Sequence, residues 1–583
     1  MIKTLAKSIR EYKKPAILTP IFVMLEVSFE VMIPFIMVNL IDQGIDAGNM
    51  NVVFKLGGFL LLAAFMALIF GALAGKTAAV ASAGYAKNLR QDMFYNVQKF
   101  SFSNIDKFSM SSIITRLTTD VTNVQHSCQM AIRMAARSPI MIIFTLIAAF
   151  NINKELSMIF LAAIPVLGTG LFFIIRFAYP VFRKVFKTYD KLNNMVQENL
   201  GGMRVVKAFV REDYERKKFS DISKEIYEKF TKAEKILAFN MPLIQFCMFG
   251  SMILLSWFGA RAIVASGNNA ALGLTTGQLM SLMTYVMQIL ISLMMLSMVF
   301  VMITISRASA ERISELIEEE TDLKNEKNPV FQVPDGSVEF RDVSFCYSNK
   351  ADKMTLENIN LNIKSGETVG IIGGTGSSKT SLIQLIPRLY DASKGVVKVG
   401  GRDVREYHLK TLRDQVAVVL QKNVLFSGTI KENLKWGDEN ARDEEIKKMA
   451  KIAQADSFVK EFPDKYDTYI EQGGSNVSGG QKQRLTIARA LLKKPKIIIL
   501  DDSTSAVDTR TDAFIKKGFG EDIPDTTKII IAQRVTSVQD ADKIIVMDNG
   551  KITAIGSHEE LLENSRIYRE VYESQVKGGM PNV

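Results

Sequence analysis

The stretch Val369-Gly370-Ile371-Ile372-Gly373-Gly374-Thr375-Gly376-Ser377-Ser378-Lys379-Thr380-Ser381 decides how the chain is read. An apolar run ends in a glycine-rich turn, and Leu382-Ile383-Gln384-Leu385-Ile386 continues it as a helix. In a strand–loop–helix of this kind, backbone N–H groups point into the loop and cradle phosphate oxygens. The helix N-terminus adds the positive end of its dipole. In the pattern G-x-x-x-x-G-K-[ST], Lys379 reaches the β- and γ-phosphates of a nucleotide and the Thr380 hydroxyl ligates Mg²⁺. One position departs from it. Ser378 stands where the last glycine belongs, and serine accepts positive φ less readily than glycine.

Working outward, further candidate residues follow in a fixed order. Tyr347 lies upstream in Val343-Ser344-Phe345-Cys346-Tyr347 and is placed to stack on adenine. Gln421 follows the apolar run Val416–Leu420, placed to touch Mg²⁺ or an attacking water. Ser478-Gly479-Gly480-Gln481 opens a helix and offers a second anion site by the same N-terminal physics. Ile497-Ile498-Ile499-Leu500-Asp501 reads as a buried strand ending in a carboxylate, a water-mediated Mg²⁺ partner. Ser505-Ala506-Val507-Asp508 comes next. From Gly336 onward, short β-rich runs alternate with amphipathic helices, an α/β pattern.

The first half has a different composition. Six apolar stretches, 16–41, 53–74, 134–150, 156–178, 239–266 and 278–305, are each long enough to be read as helices crossing a bilayer. The first is too long for the apolar region of a signal peptide and is expected to stay as a membrane span. Lys3, Lys7, Arg10, Lys13 and Lys14 precede it. Lys87, Arg90, Lys99, Lys107, Arg116 and Arg133 lie between the second and third. Arg183, Lys184, Lys187, Lys191, Arg204, Lys207 and Arg211 lie between the fourth and fifth. The other connections are short and poor in cations. The positive-inside rule therefore places both termini and both long connections in the cytoplasm. Those connections read as helices leaving the bilayer, with turns near 103–108 and 208–214. Residues 318–335 are charged, lack helical periodicity and read as a linker. This divides the chain into 1–317, 318–335 and 336–583.

The whole chain, 583 residues with a net charge of +11, is too long for one core. Its basic balance is explained by cationic loops at a membrane surface, so nucleic acid is not expected as a partner. Cys128, Cys247 and Cys346 are scattered and imply neither a disulfide framework nor a metal site. Within the first span, Glu26 and Glu30 share one helix face. Charge in hydrocarbon is costly, so they should face a cavity or a partner. They read either as an anionic lining for cationic substrates or as a structural pair bonded to neighbouring helices. Met287, Met294 and Met298 belong to a methionine-rich last span, read either as packing or as a surface accepting many apolar ligands.

The ordered set of P-loop, Gln421, Ser478–Gln481, strand to Asp501 and Ser505–Asp508 resembles the ATP-binding cassette (ABC) ATPases. With six spans ahead of it, the chain resembles over essentially its full length a half-transporter of the bacterial ABC exporter type. The resemblance implies an all-α six-helix transmembrane domain followed by an α/β P-loop nucleotide-binding domain, with ATP and Mg²⁺ as cofactors. It implies a dimer in the cell membrane, with each ATP held between one chain's P-loop and the other's Ser-Gly-Gly-Gln helix. The Mg²⁺ partners would be Thr380, Gln421 and Asp501. Two further departures stand out. Asp502 occupies the position of the family's catalytic Glu, and Gln533 that of its γ-phosphate-contacting His. Both losses fall on the chain's own site, whereas Ser478–Gln481, which serves the opposite ATP, is intact. That resembles the degenerate-site subunit of heterodimeric multidrug exporters and implies a partner carrying the Glu and the His. The expected cargo is a small amphipathic or cationic compound. A lipid or peptide exporter, or an ATP-gated channel or sensor subunit, is the alternative.

Overall fold

The structure is a computed structural model and describes residues 1–268, 273–347, 354–502 and 506–577. It divides into two compact units, Met1–Lys99 with Ser109–Glu319, and Phe100–Phe108 with Glu320–Val583.

The first unit is built from six helical stretches long and apolar enough to cross a membrane. They are Arg10–Ile45, Met50–Val97, Met110–Ile152, Lys154–Gly201, Glu212–Ser266 and Thr276–Glu318. Each contains one of the six apolar stretches read from sequence. At 36 to 55 residues they far exceed the roughly 20 needed for hydrocarbon, so the polar connections are continuations of the spans. Local chemistry marks the breaks. The Asn153 side chain accepts from the Leu156 N–H to start the fourth span, left-handed Gly267 ends the fifth, and a Thr275/Gln278 capping box starts the sixth. Tyr285 and Ser281 of the last span donate to the Val31 and Pro34 carbonyls of the first, at 2.9 and 2.6 Å. Buried Asp120 accepts from Ser309 at 2.8 Å and from Arg312 Nε at 2.7 Å, tying the third stretch to the sixth.

The second unit is a doubly covered α/β layer. Its main sheet runs, edge to edge, Lys551–Gly556, Lys543–Asp548, Thr368–Gly373, Thr527–Ile531, Ile497–Asp501, Val416–Val419, all parallel except the first. Strands Ile497–Asp501 and Thr527–Ile531 are buried at every position, as expected of a parallel sheet clad on both faces. A second, antiparallel sheet of Leu356–Ile363, Val338–Phe345, Lys394–Val399 and Arg402–Asp403 lies beside it.

Two segments outside 336–583 pack on this unit. The stretch 318–335, read as a linker, is anchored for much of its length on this unit. Leu323 and Val333 are buried, Val330 exchanges backbone hydrogen bonds with Glu406 and His408, and Lys496 Nζ donates to the Val333 and Pro334 carbonyls at 2.6 Å. The turn near 103–108 forms the short helix Phe102–Lys107, capped by Ser101 and Asn104, and segment Phe100–Phe108 belongs to the second unit. There the Phe102 ring lies 6.0 Å from that of Tyr390. Asp106 accepts from the Tyr390 hydroxyl at 2.6 Å, and Ser103 donates to Asp322 at 2.7 Å. The other turn, near 208–214, is a break between helices Met203–Ala208 and Glu212–Leu237.

Candidate functional site

Four parallel strands deliver their carboxyl ends to one edge of the main sheet, the place where open α/β sheets bind ligands. The loop after Thr368–Gly373 carries the glycine-rich stretch, and Ile497–Asp501 ends in the carboxylate. Gln533 follows Thr527–Ile531, and Gln421 follows Val416–Val419. Gly373 is fixed by space, since a Cβ there would sit 2.2 Å from the Met547 carbonyl oxygen. Ser378 adopts φ 69°, ψ 24°, the left-handed conformation for which the pattern uses glycine. Holding an L-residue there costs roughly 1–2 kcal/mol. It immediately precedes the helix Lys379–Gln384.

Lys379 folds its ammonium back over the loop, donating to the Gly373 and Gly374 carbonyls at 2.8 Å and to Ser377 Oγ at 3.1 Å. Burial pushes its pKa down, and the Asp501 and Asp502 charges oppose that. Thr380 donates to Asp501 at 2.9 Å. A hydroxyl and a buried carboxylate, both hard oxygen donors, thus lie side by side where a Mg²⁺ bound to phosphates would need them. Burial raises the Asp501 carboxyl above its usual range, and the neighbouring Asp502 charge adds to the effect while Thr380 and Lys379 counter it.

Asp502 itself has φ 49°. Its carboxylate accepts from Gln533 Nε2 at 2.9 Å and from the Gln421 side chain. Burial raises its pKa, and those two hydrogen bonds work in the opposite sense. The three residues are therefore one hydrogen-bonded group, a link that the sequence, which lists them 81 and 31 positions apart, did not reveal.

Tyr347 is half exposed, with its ring edge-on to Phe345 and Tyr390 and its hydroxyl 2.8 Å from Ser381 Oγ. One face of a fixed phenol is thereby kept next to the phosphate loop. Tyr390 was missed from sequence. Burial and the Asp106 carboxylate both raise its hydroxyl pKa, and its ring touches Phe102, Phe345 and Tyr347. Ser478 caps the helix Gly479–Leu492 in a reciprocal box with Gln481. Gly480 is needed there because a Cβ would approach the Ala506 carbonyl to 2.8 Å. Ala506, Val507 and Asp508 follow as read, and Ser505 lies outside the described residues.

In the membrane unit, Glu26 and Glu30 both meet Arg137. The guanidinium pairs with Glu26 and donates to the two Glu30 oxygens at 2.8 and 2.6 Å. Arg137 was legible in principle, as the one charge inside the third apolar stretch 134–150. Met287 and Met294 are half-buried and Met298 is exposed. None of the three lines the cavities beside the first two spans.

This geometry defines a P-loop nucleotide-binding unit on the same chain as a multi-pass membrane unit. The ABC transporter transmembrane region model matches residues 16–294 and the ABC transporter model matches 356–505. The chain is 35% identical over 567 residues to the uncharacterized ABC transporter ATP-binding protein YfiB of Bacillus subtilis, covering 97% of each. It is 32% identical over 494 residues, 84% of each chain, to an ATP-dependent lipid A-core flippase of Desulfotalea psychrophila. A solved bacterial Atm1-family ABC exporter with ATP bound shares the fold at TM-score 0.83 and 23% identity, over 98% of this chain and 99% of that one. The chain belongs to the ABC transporter family, membrane transporters driven by ATP hydrolysis, and carries one transmembrane region and one ATP-binding domain.

Proposed function

We propose that the chain is one half of a heterodimeric exporter in the cell membrane, with both termini and the ATP-binding unit in the cytoplasm. The cation-rich connections and cation-poor short loops support that orientation. ATP sits on Gly373–Ser381 with adenine against Tyr347, and Thr380, Gln421 and Asp501 are the groups that would hold Mg²⁺. Ser478–Gln481 serves the ATP on the partner, a second half-transporter with Glu and His at the positions of Asp502 and Gln533. The observation that carries this reading is the Asp502–Gln533 pair on a chain whose Ser478–Gln481 helix start is intact. A general base must reach its water. Asp502 is one methylene shorter than Glu and already engaged by two amides, and Gln533 has no titratable proton. Turnover at this site is therefore slow, and its ATP acts as a clamp while the partner's site drives the cycle.

The cargo is a small amphipathic compound. The cationic preference expected from Glu26 and Glu30 is weakened, because Arg137 bonds both carboxylates and offsets one of their two charges. The ATPase of the reconstituted heterodimer tests the asymmetry. Asp502→Ala should change it little, whereas removing the partner's Glu should cost at least ~100-fold. Equal losses would refute the reading, as would brisk ATPase and export by this chain alone.

A further inference from the structure

Between the first and second spans lies a cavity of about 660 Å³ lined by Glu26, Glu30, Gly71, Gly75, Lys76 and Arg133, among others. Its charges are not those of an anionic lining. Both carboxylates bond Arg137, which offsets one of their two charges, and with Lys76 and Arg133 the group holds three cations to two carboxylates. Among the described residues, Lys76 and Arg133 have no ion-pair partner. The cavity is built around these groups. Gly71 leaves room for the Glu26 carboxyl, which a Cβ would meet at 3.2 Å, and Gly75 leaves room for the Arg133 guanidinium, at 3.4 Å.

A second cavity, of about 700 Å³, begins at the same Ala64 and runs along Leu61, Leu60, Gly58, Gly57, Phe54 and Val53 against Ile33 and Met37. At 1.5 Å per residue, Ala64 to Val53 spans about 16 Å of apolar groove. Lys76 and Arg133 sit where the second and third apolar stretches, 53–74 and 134–150, give way to the long polar helices. That is the level at which a polar head group meets hydrocarbon.

We infer that Lys76 and Arg133 hold the anionic head of an amphiphile, a phosphate or carboxylate, whose chain runs along Ala72, Leu68 and Ala67 toward the groove from Ala64 to Val53. This rests on the exporter reading and names the class of its cargo. Unpaired cations at a low-dielectric boundary gain more from an anion than they would in water. Arginine adds a planar fork suited to either oxyanion.

The test uses the full-length chain in neutral phosphatidylcholine nanodiscs, with labelled dodecyl phosphate and dodecyltrimethylammonium as a pair differing in head charge. Retention above empty nanodiscs should favour dodecyl phosphate by tenfold or more. Lys76→Gln with Arg133→Gln should abolish the preference, and Lys76→Arg with Arg133→Lys should keep most of it. ATP binding by each variant checks that it is folded. Competition by inorganic phosphate alone would identify a free anion as sufficient; its failure to compete would show that the chain is needed, and either result supports the site. Stronger retention of the cation, or undiminished anion retention by the double Gln variant, overturns the inference. ATP-dependent transport is read separately in vesicles containing both half-transporters. Anion retention without transport would fail the exporter reading alone, and transport without anion retention would fail this inference alone.

Discussion

Replacing Arg137 by methionine keeps most of the side-chain volume and removes the one group that bonds both Glu26 and Glu30. The Glu26 side chain is 8% exposed and Glu30 28%, so the carboxylates left behind are poorly solvated and four residues apart on one helix. Removing one partner of a buried ion pair costs about 3–5 kcal/mol, chiefly through the uncompensated charge. Partial exposure of Glu30 places this case near 3 kcal/mol. For units of a few hundred residues that is a fall of roughly 6–12 °C in Tm, at about 2–4 °C per kcal/mol. Thermal unfolding of the detergent-solubilised chain measures it. The combined Glu26→Gln, Glu30→Gln, Arg137→Met variant, with no stranded charge, should recover most of the loss. That non-additivity marks coupling. An Arg137→Met protein melting with the wild type, or a triple variant no better than the single one, would refute the argument.

At the phosphate loop, Ser378→Gly removes the left-handed strain and should raise stability by up to about 1 kcal/mol, glycine's entropy offsetting part of the gain; a lower Tm would contradict this. Asp501→Asn should raise the Tm of the nucleotide-free chain slightly while impairing Mg²⁺-dependent ATP binding. The sign follows from its raised pKa. Folding disfavours the ionised form, a penalty absent below the unfolded-state value that grows as pH rises to the folded one. The Tm advantage of the Asn variant should therefore shrink on acidification, and one that grew would be contrary to it. Tyr390→Phe keeps the ring contacts and loses the bond to Asp106, worth about 1.5–3 kcal/mol for a charged acceptor. Amide exchange within 100–108 should quicken, and unchanged exchange would show the bond to be idle.

Most of the second unit was legible because its chemistry is local. The order strand, Gly373–Thr380, helix is contiguous, and four apolar residues running into Asp501 can hardly be anything but a buried strand with a carboxylate at its tip. The six spans were legible for the same reason, since their signal is a run of side chains and not a contact. What escaped were pairings between distant positions. Arg137 decides what Glu26 and Glu30 do, yet composition weighs them as separate costs. Tyr390 reads as one aromatic among many until Phe102, Phe345 and Tyr347 are seen around it. Residues 318–335 look unstructured because their partners, Tyr407 and Lys496, lie far along the chain.

The seat of Phe100–Phe108 on the second unit has a consequence for biosynthesis. Asp106 and Tyr390 are 284 residues apart. At ~5–20 residues per second, roughly 15–60 s pass between the emergence of the short helix and that of its receptor. Throughout that interval Phe102 has no Tyr390 to cover it, while four more spans are being inserted. A ribosome that stalls after the last span leaves a membrane bundle displaying an orphaned aromatic knob, the sort of transient exposure that chaperones and proteases recognise.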